Sequence, residues 1–449
     1  MWLRTFAGTI WARRLVLILF IVQAMTLVFI TRIGTPPDET NHIKFIEYYA
    51  NHSLSPFLTH QTPTYNLGDK TREVDYVYHY TMSFVYRGLP LSVHGKYLVI
   101  RTFSVLFALL AFLALAKLFR KLGISEGVTT VSLLILTNLP MVLMMSSAIN
   151  NDVFVWLGMV GGLLLLMRLW ERPALVDLLW LASLAFIGGL VKRDLLPIGL
   201  LFGVLGLVIF FRHFRLLTGQ LKRFDWRVAL AIVAVLVCAG LFIERVGVNV
   251  ARYGTPTPSC NQVQGAAACS VFWGNIREAH LNSRPMPAAM PIIEFVPRWI
   301  WSSVSNIVDI QTQGWRHVVK PARWLTPLLL VVLLVGLLYA LVYERKRFRD
   351  DTFSRYRVCV LLIALYYVGV QMVVNYSTYR KQHAWGLALN GRYIIPSILL
   401  LGGFASFYWS RLLQRYPRTL VVLTVVIILS TVFGSGLLMM LNNYQLHNG

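Results

Sequence analysis

The chain has 449 residues, of which 57% are hydrophobic and 14% charged, and its mean hydropathy is +0.61. That balance excludes a soluble protein of this size and fits a multi-span membrane protein. The net charge of +23 does not point to nucleic acid. No basic face interleaved with aromatics occurs outside membrane flanks, so membrane lipids, anionic ones above all, and phosphate groups are the expected partners. Four cysteines rule out a disulfide framework, and none shows C-x-x-C metal spacing.

The first apolar run, Leu15 to Ile30, reads as an uncleaved signal anchor, because no A-x-A site follows it and further spans come later. Apolar runs near the length that crosses ~30 Å of hydrocarbon predict eleven transmembrane helices. They lie roughly at 14–33, 97–116, 128–147, 153–169, 176–191, 195–211, 228–243, 324–343, 357–374, 393–410 and 419–440. The expectation is an all-α polytopic protein. Its expected blocks are a membrane module over 1–243, a loop region over 244–323 and C-terminal helices over 324–449.

Lys and Arg in the short loops set orientation. The loops Lys117 to Lys121, Arg212 to Arg227, Glu344 to Arg349 and Arg411 to Arg418 are densely basic. Placing them in the cytoplasm with Arg4, Arg13 and Arg14 gives a cytoplasmic N-terminus and an external C-terminus. Two external segments are then long, 34–96 and 244–323. Both are too polar to span, and interfacial helices over a cavity are expected there.

The first external segment opens Gly34-Thr-Pro-Pro-Asp-Glu-Thr-Asn-His42, at the mouth of the first span. Asp38 could open a short helix, which puts His42 on the same face four residues on, with Lys44 and Glu47 nearby. Asp38 or Glu39 could serve as a general base or hold a divalent cation; equally, acids after proline cap helix starts. Asn150-Asn151-Asp152 fills the tight turn between spans three and four. An acid there is either used or paired, unless it simply makes the turn and caps span four. Lys192-Arg193-Asp194, between spans five and six, runs against the positive-inside tendency, so it either meets an anionic headgroup or forms an internal pair. Arg392, in Asn390-Gly-Arg-Tyr393, could aim a phosphate fork at the surface beside Tyr393, or snorkel in an aromatic belt. Cys260 and Cys269 could close a disulfide in an oxidising compartment. Nucleophile elbows, Walker loops, dinucleotide fingerprints and HExxH are all absent from the sequence.

Under one topology the acids Asp38, Glu39 and Asp152 and the cations Lys192, Arg193 and Arg392 all face outward. Carboxylates that activate an acceptor, beside cations that meet a phosphate leaving group, suit transfer from a lipid phosphate. Pro-Pro-Asp-Glu-x-x-His after span one resembles the first external loop of the C-type glycosyltransferase superfamily, GT-C. It is closest to a bacterial multi-span branch. Asn-Asp between spans three and four and Gly-Arg-Tyr before a late span also resemble that branch. The resemblance implies a GT-C-like fold in the bacterial cytoplasmic membrane, with the active site on the periplasmic face. It implies an inverting transferase that moves a sugar from a polyprenyl-phosphate donor to a lipid or glycan acceptor of the cell envelope. Asp38 would be the catalytic base or metal-associated carboxylate, with Glu39 and Asp152 assisting and Mg or Mn as the candidate cation. His42, Lys192, Arg193, Arg392 and Tyr393 would bind substrate. Unlike better-known members, the chain lacks a large C-terminal soluble domain. Two other classes stay open: a flippase for lipid-linked sugars, and a ligase or polymerase using a polyprenyl-diphosphate donor. The sequence shows no inverted repeat and no broken mid-membrane helix, which argues against a transporter.

Overall fold

A computed structural model of the chain describes residues 9–52, 72–221, 225–270, 283, 289–308, 325–382 and 391–415. Every regular element among them is helical. The chain begins with α1 (Ile10–Ile30), capped by the Thr9 hydroxyl, which accepts from the Ala12 amide. Then come α2 (Glu39–His52), α3 (Val77–Gly88), α4 (Val93–Lys121), α5 (Glu126–Thr137), α6 (Pro140–Ser146), α7 (Asp152–Glu171) and α8 (Leu175–Val191). A 3₁₀ turn, Arg193–Leu195, leads into α9 (Leu196–Arg212), followed by α10 (Phe214–Leu221) and α11 (Trp226–Phe242). A π-helical turn, Ile243–Gly247, joins α11 to α12 (Val248–Tyr253). The remainder comprises α13 (Cys260–Gln264), α14 (Ala266–Cys269), α15 (Ile292–Val308), α16 (Leu325–Arg347), α17 (Thr352–Gln382) and, after a 3₁₀ turn Gly391–Ile394, α18 (Ile395–Leu412).

Among the described residues eight helices are long and apolar enough to cross a membrane, or nine counting α5 with α6 as one bent span. The protein is therefore a multi-pass membrane protein. The eleventh expected span, 419–440, lies outside the described residues. Helix α8, at 17 residues, is apolar but short.

Two spans depart from the sequence expectation. The helix expected over 128–147 is broken, with α5 and α6 meeting at 76°. Pro140 has no amide hydrogen to donate, and its ring drives the preceding Leu139 into an extended conformation (φ −63°, ψ 126°). Side chains knit the break. Asn138 Nδ2 donates to the Leu134 carbonyl at 2.8 Å, and Gln23 Nε2 of α1 donates to Asn138 Oδ1 at 3.1 Å. So a broken membrane helix is present after all. The span expected to stop at 243 instead runs through the π turn to Tyr253, 28 residues in all. The polar stretch beyond 243 does not open a loop.

Contacts divide the chain into two units interleaved in sequence. One comprises Met1–Glu39, Arg101–Val160 and Met290–Gly449; the other comprises Thr40–Ile100 and Gly161–Ala289. Hydrocarbon gives apolar helices no hydrophobic reason to associate, so close packing must hold them together. In the first unit α18 packs on α5, α16 and α17. A Cβ at Gly403 of α18 would fall 1.9 Å from the ring of Phe119 on α4, and one at Gly336 of α16 would fall 3.0 Å from the Ala405 backbone. Phe20 of α1 meets Phe112 of α4 edge to face at 5.0 Å.

In the second unit α8 packs against α9 and α11, and Tyr48, Tyr49, Val74, Tyr76 and Leu190 form a buried cluster. Arg72 is pinned to the π turn. It donates to Glu244 Oε1 at 2.6 Å, to Asn249 Oδ1 at 2.7 Å and to the Glu244 and Arg245 carbonyls at 2.8 and 3.2 Å. The widened turn exposes those carbonyls, and the guanidinium satisfies them. Arg245 lies over the Tyr76 ring at 3.9 Å. Burial pushes the Tyr49 and Tyr76 phenols above their ordinary values, against the opposing charge of Arg245. The Cys260–Cys269 disulfide staples α13 to α14.

Two outcomes test this packing. Gly403→Val should lower the unfolding midpoint in detergent, with an overpacking penalty of about 1–3 kcal/mol. The Tyr76 hydroxyl is buried with no hydrogen-bond partner, so Tyr76→Phe, which keeps the ring under Arg245, should leave stability unchanged or raise it by about 1 kcal/mol.

Candidate active site

The chain leaves α1 with unsatisfied carbonyls, as every helix C-terminus does. Here Arg101, a residue of α4, collects them. Its Nη1 donates to the Val28 and Thr31 carbonyls at 3.0 and 2.6 Å, and its Nη2 to the Arg32 carbonyl at 3.2 Å. The same guanidinium grips Glu39, with Nε to Oε1 at 2.8 Å and Nη2 to Oε2 at 2.7 Å. Glu39 in turn accepts from the Gly34 amide at 2.7 Å and the Ile149 amide at 2.9 Å. All five N–H groups of the arginine are thus engaged, and the carboxylate carries four donors, its full complement. Both side chains are fully buried.

That pair fixes two turns at once. One is the Pro36-Pro37-Asp38 turn immediately before Glu39. Asp38 adopts φ +59°, the one non-glycine residue with positive φ among the described residues. Aspartate tolerates this left-handed region better than most residues, and strain of this kind clusters at functional sites. The other is the Asn150-Asn151-Asp152 turn just after Ile149. Asn150 is fully buried and builds it, donating to the Met145 and Ala148 carbonyls at 2.6 and 3.1 Å and accepting from the Asp152 amide at 2.8 Å. Asn150 thus supplies a side-chain acceptor to the first amide of α7.

Arg392 links the two acids. It ion-pairs with Asp38 through Nη2, donates to the Pro37 carbonyl at 3.2 Å and to the Tyr393 hydroxyl at 2.9 Å, and its Nε lies 4.0 Å from Asp152 Oδ2. The Arg392 and Asp152 side chains are each 4% exposed, whereas that of Asp38 is 50% exposed. Gly391 lets this arginine in: a Cβ there would fall 2.1 Å from the Ser303 carbonyl of α15. Any other residue would push the 3₁₀ turn off that helix.

The structure therefore brings together Asp38, Asp152, Arg392 and Tyr393, with Glu39 directly behind. Glu39 is closed by four hydrogen bonds and cannot share a cation with Asp38. Asp38 itself is paired to Arg392. Among the described residues no group of three or more His, Cys, Asp or Glu side chains could hold a metal ion. With all four acceptor positions of Glu39 engaged, the Asp38–Glu39 carboxylate pair expected to hold a divalent cation is not available as a pair. Arg392, expected to reach for phosphate at the surface, is instead buried and committed to protein partners.

The other expected substrate-binding residues belong to the second unit. His42 Nδ1 lies 2.8 Å from His79 Nε2, the two rings stack at 5.1 Å, and His79 Nδ1 is 3.2 Å from the Asp75 carbonyl. A proton on His79 Nδ1, facing that carbonyl, leaves its Nε2 to accept from His42. Lys192 is buried, with Nζ 3.8 Å from Asp194, so the internal pair forms. Arg193 is exposed.

Arg101 was not singled out from the sequence, although a lone arginine inside an apolar run is a signal in itself. The Gly34 and Ile149 amides carry none, because any residue supplies an N–H. No family model matches the chain, and no curated protein matches it in sequence.

Breaking a buried pair strands a charge, at a cost of about 3–5 kcal/mol. Glu39→Gln or Arg101→Met alone should each destabilise the protein by about that amount in detergent unfolding. The double variant should lose less than either single one. An Arg101→Met protein as stable as the parent would remove the clamp from this account.

Proposed function

We propose that the protein is an inverting membrane glycosyltransferase of the GT-C kind. It takes a sugar from a polyprenyl-phosphate donor and passes it to a cell-envelope acceptor at the outer face of a bacterial cytoplasmic membrane. The observation that supports this most is Asp38: a half-exposed carboxylate on left-handed backbone, at the mouth of the first span, held by a buried arginine that also borders Asp152. Asp38 accepts the proton of the acceptor hydroxyl as that oxygen bonds to the anomeric carbon. The bond to the donor phosphate breaks on the opposite face, and the polyprenyl phosphate leaves with the electron pair. Arg392 aims the Asp38 carboxylate, Asp152 balances the arginine, and Glu39 with Arg101 holds the turn in place.

The broken α5–α6 span favours a second reading, a flippase for lipid-linked sugars, because transporters place substrates at interrupted helices. Reconstitution with a labelled polyprenyl-phosphate sugar separates the two, since glycosylated product marks the enzyme and movement without product marks the transporter. Asparagine tolerates positive φ as aspartate does, so Asp38→Asn should fold normally. It should lose roughly 10²–10⁴-fold in transfer rate, the usual worth of a general base. A well-folded Asp38→Asn protein with undiminished transfer would rule out Asp38 as the base.

A further inference from the structure

At the other end of the first unit, α16 runs into α17 through Glu344-Arg-Lys-Arg-Phe-Arg-Asp-Asp-Thr-Phe-Ser-Arg355. Arg345, Lys346, Arg347, Arg349 and Arg355 are exposed. So are two phenyl rings, Phe348 at 46% and Phe353 at 48%. Beneath them the turn is tightly organised. Arg357 donates to Glu344 Oε1 at 2.6 Å, to Glu344 Oε2 and Asp351 Oδ2 at 3.2 Å each, and to the Leu122 carbonyl at 3.0 Å. The Tyr408 hydroxyl donates to Glu344 Oε1 at 2.7 Å, and the Ser354 hydroxyl donates to Oε2. Glu344, Arg357 and Tyr408 are all buried. Arg355 braces the turn from outside, donating to the Arg349 carbonyl at 2.7 Å and the Phe348 carbonyl at 3.3 Å.

The result is a segregation of charge. Glu344 is consumed inward and Asp351 is half-buried against Arg357, which leaves Asp350 as the exposed acid of the turn against five exposed cations. The patch reaches the end of α4. The Phe353 ring lies 3.2 Å from where a Cβ of Gly123 would be, and Lys117 and Arg120 are exposed on that helix. A basic loop that only marks topology needs neither exposed phenyl rings nor a buried scaffold. Cations interleaved with two rings suit a ligand with phosphate at one end and hydrocarbon at the other.

We propose that the α16–α17 turn binds the headgroup of an anionic phospholipid, its phosphate among Arg345, Lys346, Arg347, Arg349 and Arg355, and its first acyl carbons on Phe348 and Phe353. The full chain in nanodiscs of mixed phosphatidylcholine and phosphatidylglycerol, read by native mass spectrometry, tests it. The parent retains phosphatidylglycerol preferentially. Each cation near an anionic surface contributes about fivefold, so the triple variant Arg345→Gln, Lys346→Gln, Arg347→Gln loses about a hundredfold of that preference. Replacing the two arginines by lysine preserves it. Phe348→Ala with Phe353→Ala weakens retention of both lipids together. As a charge-matched control, Arg212→Gln, Arg215→Gln, Arg227→Gln removes exposed cations from the other unit and lowers the preference clearly less than the first triple variant does. Undiminished preference in the first triple variant, or an equal loss in the control, overturns the proposal. So does competition by inorganic phosphate at the concentration of the lipid.

Discussion

The geometry of the first unit hangs on the Glu39–Arg101 ion pair. A charge pair withdrawn from water is unfavourable unless every donor and acceptor it brings is met, and here they are met completely. The arginine satisfies carbonyls at the end of α1, and the carboxylate satisfies amides of two separate turns. Their positions are set by hydrogen bonds to a single buried carboxylate, so Asp38 and Asp152, encoded far apart, are located by the same group.

Arg392 works at the next level. The clamp sets the backbone, and Arg392 sets the side chains, drawing on Asp38 from one side and Asp152 from the other. The contrast between the acids is then one of environment. Asp152 is enclosed with the guanidinium, while half of the Asp38 side chain meets solvent. One carboxylate is closed into the scaffold and the other is open to solvent.

Most of the span pattern was legible in the sequence because apolar length is a direct physical requirement of the bilayer. The exceptions follow from local chemistry that hydropathy does not register. Pro140 interrupts a largely apolar stretch, and the π turn carries α11 past the charged pair Glu244-Arg245. Asp38, Asp152 and Arg392 could be found because charged residues at span ends are conspicuous. Their roles could not. Whether Glu39 is reactive or structural depends on Arg101, 62 residues away, and on two backbone amides with no side-chain signature. For the same reason Arg392 looked like a surface fork. Its burial, its partners Asp38, Pro37 and Tyr393, and the close approach at Gly391 place it inside.

The clamp also orders the protein's biogenesis. When α1 and the Asp38 turn enter the bilayer, the arginine that completes them has not been made. At about 5–20 residues per second, Arg101 follows Glu39 by roughly 3–12 s. Ile149, the last donor to the carboxylate, arrives several seconds later still. Throughout that interval the first turn must rest at the aqueous boundary with its acid hydrated, and it is withdrawn from water only as the later helices close around it. The site is therefore completed late in synthesis, and a nascent chain stalled before α7 carries Asp38 without the architecture that aims it.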